Sequence, residues 1–215
     1  MNGSRLLYLI VITLTRIFVK IFYRHKTFGS HNFQSKRAII VSNHTSYLDP
    51  PLVAASAPEN IHFLARSTLF RSIFGGFISA LNAHPIKRGG VNISAVKDIC
   101  KLVKRGKKVL IFPEGKRSKD GGLLPLQPGV GIIASLSAAD IIPVYIEGAY
   151  DIWSSSRGFP KLFGKTTAVI GQPITWSGFI EMDKKEAQVK IVKAISSKLS
   201  SLEKWSKEGK TGIIP

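Results

Sequence analysis

The stretch Ile39-Ile40-Val41-Ser42-Asn43-His44-Thr45-Ser46-Tyr47-Leu48-Asp49-Pro50-Pro51 decides the fold. Its β-branched run ends at Ser42 and has the length of a strand buried on both faces. Polar residues follow at once, so the chain leaves the sheet there. Residues before proline avoid the α region, and proline suits the first turn of a helix. This predicts Asp49 as the N-cap of a helix starting at Pro50. The order strand, polar loop, helix is the repeating unit of an α/β domain.

The same alternation extends outward. Short apolar runs edged by Gly, Pro or charge read as strands at 38–42, 62–65, 109–112, 141–146 and 166–170, with a strand-like piece at 84–86. A helix over 92–105 places Ile93, Val96, Cys100 and Val103 on one face and stops at Gly106. Asp183 with Glu186 three residues on is an Asp variant of the capping box, and Ile191, Ile195, Leu199 and Leu202 form the stripe of the helix it opens. The fold expected is α/β, a mixed central sheet flanked by helices. Segment 69–81 is very apolar, and its Gly75-Gly76 pair weakens a regular helix. It reads as core, or as a greasy patch near a membrane.

Composition narrows the partners. A chain of 215 residues buries a sizeable core without staples. Its one cysteine, Cys100, rules out an internal disulfide and a Cys-based zinc site. Lys and Arg number 31 against 13 acids, a net charge of +18, so the partners sought are polyanions: nucleic acid, an anionic bilayer or phosphate-bearing substrates. The excess is uneven, with 20 basic and 5 acidic residues in 1–130 but 11 and 8 in 131–215. No helix-turn-helix, zinc-finger or RNP signature is present, which disfavours nucleic acid.

Residues 6–23 form an apolar run interrupted by Arg16 and Lys20, without a cleavage site after it. An amphipathic anchor lying in the bilayer surface fits this pattern, with Lys and Arg reaching for anionic lipids. A buried core helix and a single span are the other two readings. The division expected is a membrane-associating helical segment at 1–30 and an α/β domain at 31–215.

Two stretches carry the chemistry. On a regular helix His44 and Asp49 would stand about 140° apart. A loop that folds back instead lets the carboxylate meet the imidazole, fix its tautomer and ready the other nitrogen as a general base toward a hydroxyl. On spacing alone a plainer reading stands beside it: Asp49 caps a helix and His44 is a loop histidine. The second stretch is Phe112-Pro113-Glu114-Gly115-Lys116-Arg117-Ser118, at the end of a buried strand, where open α/β sheets place ligands. Gly115 lets backbone amides approach an anion, Arg117 suits bidentate phosphate binding, and Glu114 can accept from a substrate hydroxyl. A solvated charged turn is the plainer alternative. Lys87-Arg88 adds a third cationic point. The histidines His25, His31, His44, His62 and His84 are scattered, so no metal is expected. The chain has neither a Gly-x-Ser-x-Gly elbow nor a P-loop.

Taken in order, these blocks resemble the glycerolipid acyltransferases, and among them the 1-acyl-glycerol-3-phosphate acyltransferases. Asn43-His44-Thr45-Ser46-Tyr47-Leu48-Asp49 is similar to their Asn-His-x-Ser-x-x-Asp block, and 112–118 to their Phe-Pro-Glu-Gly-Thr-Arg-Ser block. Arg88 falls where a second block ends in arginine, and Ile142-Pro143-Val144 resembles a fourth. The resemblance covers about residues 37–150. It departs at Lys116, where the family has threonine, and in the loose second block around Asn82–Arg88. It implies acyl transfer from acyl-CoA or acyl-carrier protein to the free hydroxyl of lysophosphatidic acid, with glycerol 3-phosphate or another lysolipid as the alternative acceptor. His44 would be the base, and Asp49 would orient it. Arg88, Arg117 and Lys116 would hold the phosphate, while Glu114 and Gly115 would shape the glycerol site. No metal or cofactor is implied. The expected place of action is a membrane surface rich in anionic lipids, at the cytoplasmic face of a bacterial inner membrane.

Overall fold

A computed structural model describes residues 3–71, 75–86 and 93–215. Its centre is a seven-stranded sheet of β1 (Lys26–Phe28), β2 (Ala38–Ser42), β3 (Ile61–Arg66), β4 (Ala83–Ile86), β5 (Lys108–Ile111), β6 (Asp140–Glu147) and β7 (Thr167–Ile170). The order across the sheet is β1-β7-β6-β2-β5-β3-β4. Every pairing is parallel except β6 with β7, so the sheet is mixed, as expected.

Strands β2, β5 and β7 are buried on both faces, and strand alternation sorts side chains into two cores. From β2, Ala38 and Ile40 join one core, with residues of α1 (Gly3–Phe22), α2 (Asp49–Ser56) and α6 (Ala149–Trp153). Ile39 and Val41 join the other, with α4 (Ile93–Lys104), α5 (Gly129–Ser137) and α7 (Lys184–Lys207). The remaining helix, α3 (Gly75–Ala80), follows a 3-10 turn at Ser67–Arg71.

The expected cap of α7 is present, with Asp183 Oδ1 accepting from the N–H of Lys185 and Glu186, and its stripe Ile191, Ile195, Leu199 and Leu202 is buried. The expectation for α4 needs correction. Val103 and Cys100 are buried and Val96 packs against the same core, but Ile93, at the very start of the helix, is 68% exposed. Of the described residues in segment 69–81, Leu69 is exposed and Leu81 packs against the first cluster.

Helix α1 carries two apolar faces, one toward the core and one toward the outside. Tyr8, Ile12 and Val19 enter the core, and Tyr8 Oη accepts from the Ile61 N–H. Arg16 donates to the carbonyls of Ala55 and Ala57 at the end of α2. The opposite face presents Leu6, Ile10, Leu14, Ile17 and Ile21 to the outside. Among the described residues, no helix is long and apolar enough to cross a membrane.

Candidate active site

The site lies at the carboxyl ends of β2 and β5, which are neighbours with Val41 opposite Ile111. The helix after β2 packs on one face of the sheet and the helix after β5 on the other. The two connections therefore diverge and leave a crevice between them, the position where open α/β sheets hold ligands.

Asn43 holds the first loop to the sheet. Its Nδ2 donates to the Ile146 carbonyl at 2.9 Å and its Oδ1 accepts the Ile146 N–H at 2.8 Å. His44 follows and is stitched to the second loop through its main chain. Its N–H donates to Glu114 Oε1 at 3.2 Å, and its carbonyl accepts from the Ser118 N–H at 2.8 Å. The His44 ring stacks on Phe112, 4.0 Å between centroids. These contacts set the imidazole independently of its own hydrogen bond.

That bond runs from His44 Nδ1 to Asp49 Oδ2, 2.8 Å. Asp49 is fully buried, and the same oxygen accepts the N–H groups of Thr45 and Ser46 at 2.7 and 2.8 Å. The expected N-cap is thereby corrected. Helix α2 begins at Asp49 itself, with Leu48 before it and no side-chain cap. The carboxylate turns backward because three donors of the loop converge on it, whereas Pro50 and Pro51 ahead carry no N–H and the Leu52 N–H already donates to the Leu48 carbonyl. The pair leaves His44 Nε2 as the unengaged nitrogen, on a side chain that is 17% exposed.

Ser46 ties the loop down from the other side, with Oγ donating to the Trp153 carbonyl and accepting from the Leu48 N–H. Tyr47 packs on Trp153, and the Arg117 guanidinium lies 3.7 Å over the centre of the Tyr47 ring. Gly115 stands at φ +72°, a conformation that favours glycine, and this bend brings Glu114 inward while Lys116 stays exposed.

The structure thus brings His44, Asp49, Glu114, Gly115, Lys116 and Arg117 into one locality. Arg88 lies outside the described residues. Sequence reasoning missed Thr45, Ser46 and Ser118 as donors, and Phe112 and Tyr47 as stacking platforms. The aromatic character of the last two was the only available signal. Among the described residues, four of the five buried polar atoms lacking a hydrogen-bond partner belong here: Asp49 Oδ1, Glu114 Oε2, Arg117 Nε and Trp153 Nε1. Native proteins rarely leave such atoms idle away from sites that take ligands. Burial pushes the Glu114 carboxyl up to about 7; the His44 N–H opposes the rise and the nearby Asp49 charge adds to it. The arrangement offers a base with an oriented tautomer, a buried acceptor and a stacked guanidinium. That set suits proton abstraction from a hydroxyl on an anionic molecule.

The family model described as Acyltransferase matches residues 24–147. The chain is 28% identical over 181 residues to a 1-acyl-sn-glycerol-3-phosphate acyltransferase of Bacillus subtilis (strain 168), covering 83% of this chain and 87% of that relative. It is 32% identical over 155 residues to the protein of the same name from Streptococcus pneumoniae, covering 68% of this chain and 56% of the relative. The crystal structure of the acyltransferase PlsC from Thermotoga maritima has the same fold, with a TM-score of 0.71 at 24% identity, covering 94% of this chain and 84% of that one.

Proposed function

The chain belongs to the acyltransferase family, and from that premise we propose that it acylates the sn-2 hydroxyl of lysophosphatidic acid, giving phosphatidic acid. One observation carries the mechanism: His44 Nδ1 is held 2.8 Å from buried Asp49, leaving Nε2 as the base. The substrate hydroxyl gives its proton to Nε2 as its oxygen attacks the thioester carbonyl of acyl-CoA or acyl-carrier protein. Asp49 keeps Nδ1–H in place and balances the imidazolium that forms. When the tetrahedral adduct collapses, the imidazolium returns the proton to the departing thiolate. The reaction needs no acyl-enzyme.

Arg117, pre-set on Tyr47, binds the acceptor phosphate, with Lys116 and Arg88 as further cations at its rim. Glu114 and Gly115 shape the glycerol site. The exposed stripe of α1, flanked by Lys20 and Arg24, lies in the surface of an anionic leaflet, so that lipid acceptor and product move between bilayer and site. Within residues 1–30, α1 thus supplies the membrane contact; 31–215 form the catalytic domain, whose sheet also takes in β1, at the cytoplasmic face of a bacterial membrane.

The test is release of thiol from acyl-CoA and from acyl-carrier protein, with lysophosphatidate and glycerol 3-phosphate side by side. Release with lysophosphatidate is expected. Release only with glycerol 3-phosphate, or none with either donor, sinks the proposal.

A further inference from the structure

One exposed apolar cluster belongs neither to the catalytic loops nor to α1. Residues 154–165 connect α6 to β7 as an irregular segment carrying Phe159, Leu162 and Phe163, which are 84%, 60% and 65% exposed. Apolar side chains this bare on a loop tip have no role in the core. The segment is nonetheless tied down. The Lys161 N–H donates to the Ile152 carbonyl at 3.0 Å, and the Gly164 N–H to the Phe22 carbonyl at 3.1 Å. Gly164 sits so close to α6 that an added Cβ would meet the Ile152 side chain at 2.5 Å.

Two further facts say what covers it. The first is continuity: Phe163 stacks on Phe22, 5.6 Å between centroids, and Phe22 on Phe18, which edges the exposed stripe of α1. The loop and the helix therefore present one apolar surface. The second is charge. Arg157, Lys161 and Lys165 interleave with the apolar residues and are all exposed, and residues 154–165 contain no acid; the nearest in sequence is Asp151. Apolar and aromatic residues set among cations match an anionic interface, where the rings enter the acyl boundary and the cations meet phosphates.

We infer that residues 154–165 are a second membrane-inserting element, which with α1 forms a two-point mount on an anionic bilayer. The inference rests on the membrane reading of α1 given above. It also gives the mount a purpose. The loop starts where the catalytic loop is pinned, since Ser46 pairs with Ser154 and the Tyr47 N–H donates to the Trp153 carbonyl at 3.2 Å. One point of contact would let the protein pivot about α1. Two fix which way the crevice faces.

The test is flotation of the full chain with vesicles of 70% phosphatidylcholine and 30% phosphatidylglycerol, comparing the parent with Phe159→Asp/Leu162→Asp. Both side chains point outward, so the unfolding temperature should hold while the partition coefficient falls at least tenfold. A parent that does not float overturns the membrane reading itself. A parent that floats with an equally bound double variant overturns only the loop. A double variant that binds vesicles normally but loses an acidic carrier protein reassigns the patch to a protein partner and overturns the inference. A second variant reports insertion directly. Cys100 is buried and is the one native thiol, so Phe159→Cys accepts an environment-sensitive fluorophore selectively. Its emission should shift to the blue on adding these vesicles, and an unshifted spectrum on bound protein rejects insertion.

Discussion

His44 and His62 each hold Nδ1 against a neighbour, at 2.8 and 3.0 Å, yet the partners differ in kind. The partner of His44 is a buried carboxylate that already accepts two backbone N–H groups. The partner of His62 is a second imidazole, His84. Burial, with His84 and Lys107 beside it, drives His62 down to about 4, and burial lowers His84 as well. Two imidazoles share one proton between them but offer no negative charge to receive a second. The lesson is that proximity alone does not make a base. The anion behind the ring does, together with a position beyond the end of a strand rather than within one.

Breaking the reactive pair should give the largest effect. His44→Ala is expected to lower kcat about 10³-fold in the thiol-release assay, with a modest fall in unfolding temperature, because Asp49 keeps the N–H groups of Thr45 and Ser46. Full activity would refute its role as base. Arg117→Ala comes next, with KM for the acceptor raised roughly tenfold or more and kcat moved less. Arg117→Lys should fall between, since it keeps the charge and loses the fork that stacks on Tyr47. An unchanged KM would remove Arg117 from the phosphate site.

Two smaller effects sharpen the electrostatic contrast, and they have opposite signs. Glu114 is raised to about 7, so the folded chain holds its proton more firmly than the unfolded chain does. Its contribution to stability is therefore full below about pH 4.5 and is lost as pH rises toward 7. Glu114→Gln should stabilise the protein by on the order of 2–3 kcal/mol at pH 8 and hardly at all at pH 4.5. His62 runs the other way. Its lowered value means a contribution present above about pH 6.5 and lost as pH falls toward 4. His62→Gln should flatten that acid limb without touching activity at pH 7.5. Melting curves across pH decide both, and parallel profiles for parent and variant would reject the assignment concerned.

The central strands were legible because parallel strands buried on both faces write themselves as unbroken apolar runs, as at Ala38–Ser42 and Asp140–Glu147. Strand Lys26–Phe28 left no such trace: it is three residues long, on the sheet edge, and has two of them exposed. The candidate site residues stood out as motif blocks, but the direction of Asp49 did not. Two prolines announce a helix start, whereas the pull of the Thr45 and Ser46 amides appears only once the loop has folded. Likewise His62 and His84 look unrelated at a separation of 22 residues, until parallel pairing of β3 with β4 joins them.

The amide of Asn43 has a consequence for variation in this chain. By exchanging two hydrogen bonds with Ile146, it imitates one more rung of the ladder, so the imidazole next to it is indexed to strand β6. Conversion of Asn43 to Asp, even by spontaneous deamidation, sets an anion against a carbonyl and unseats everything downstream. An insertion at Tyr47 is no milder, because it lengthens the span between His44 and Asp49 and moves the ring that carries Arg117.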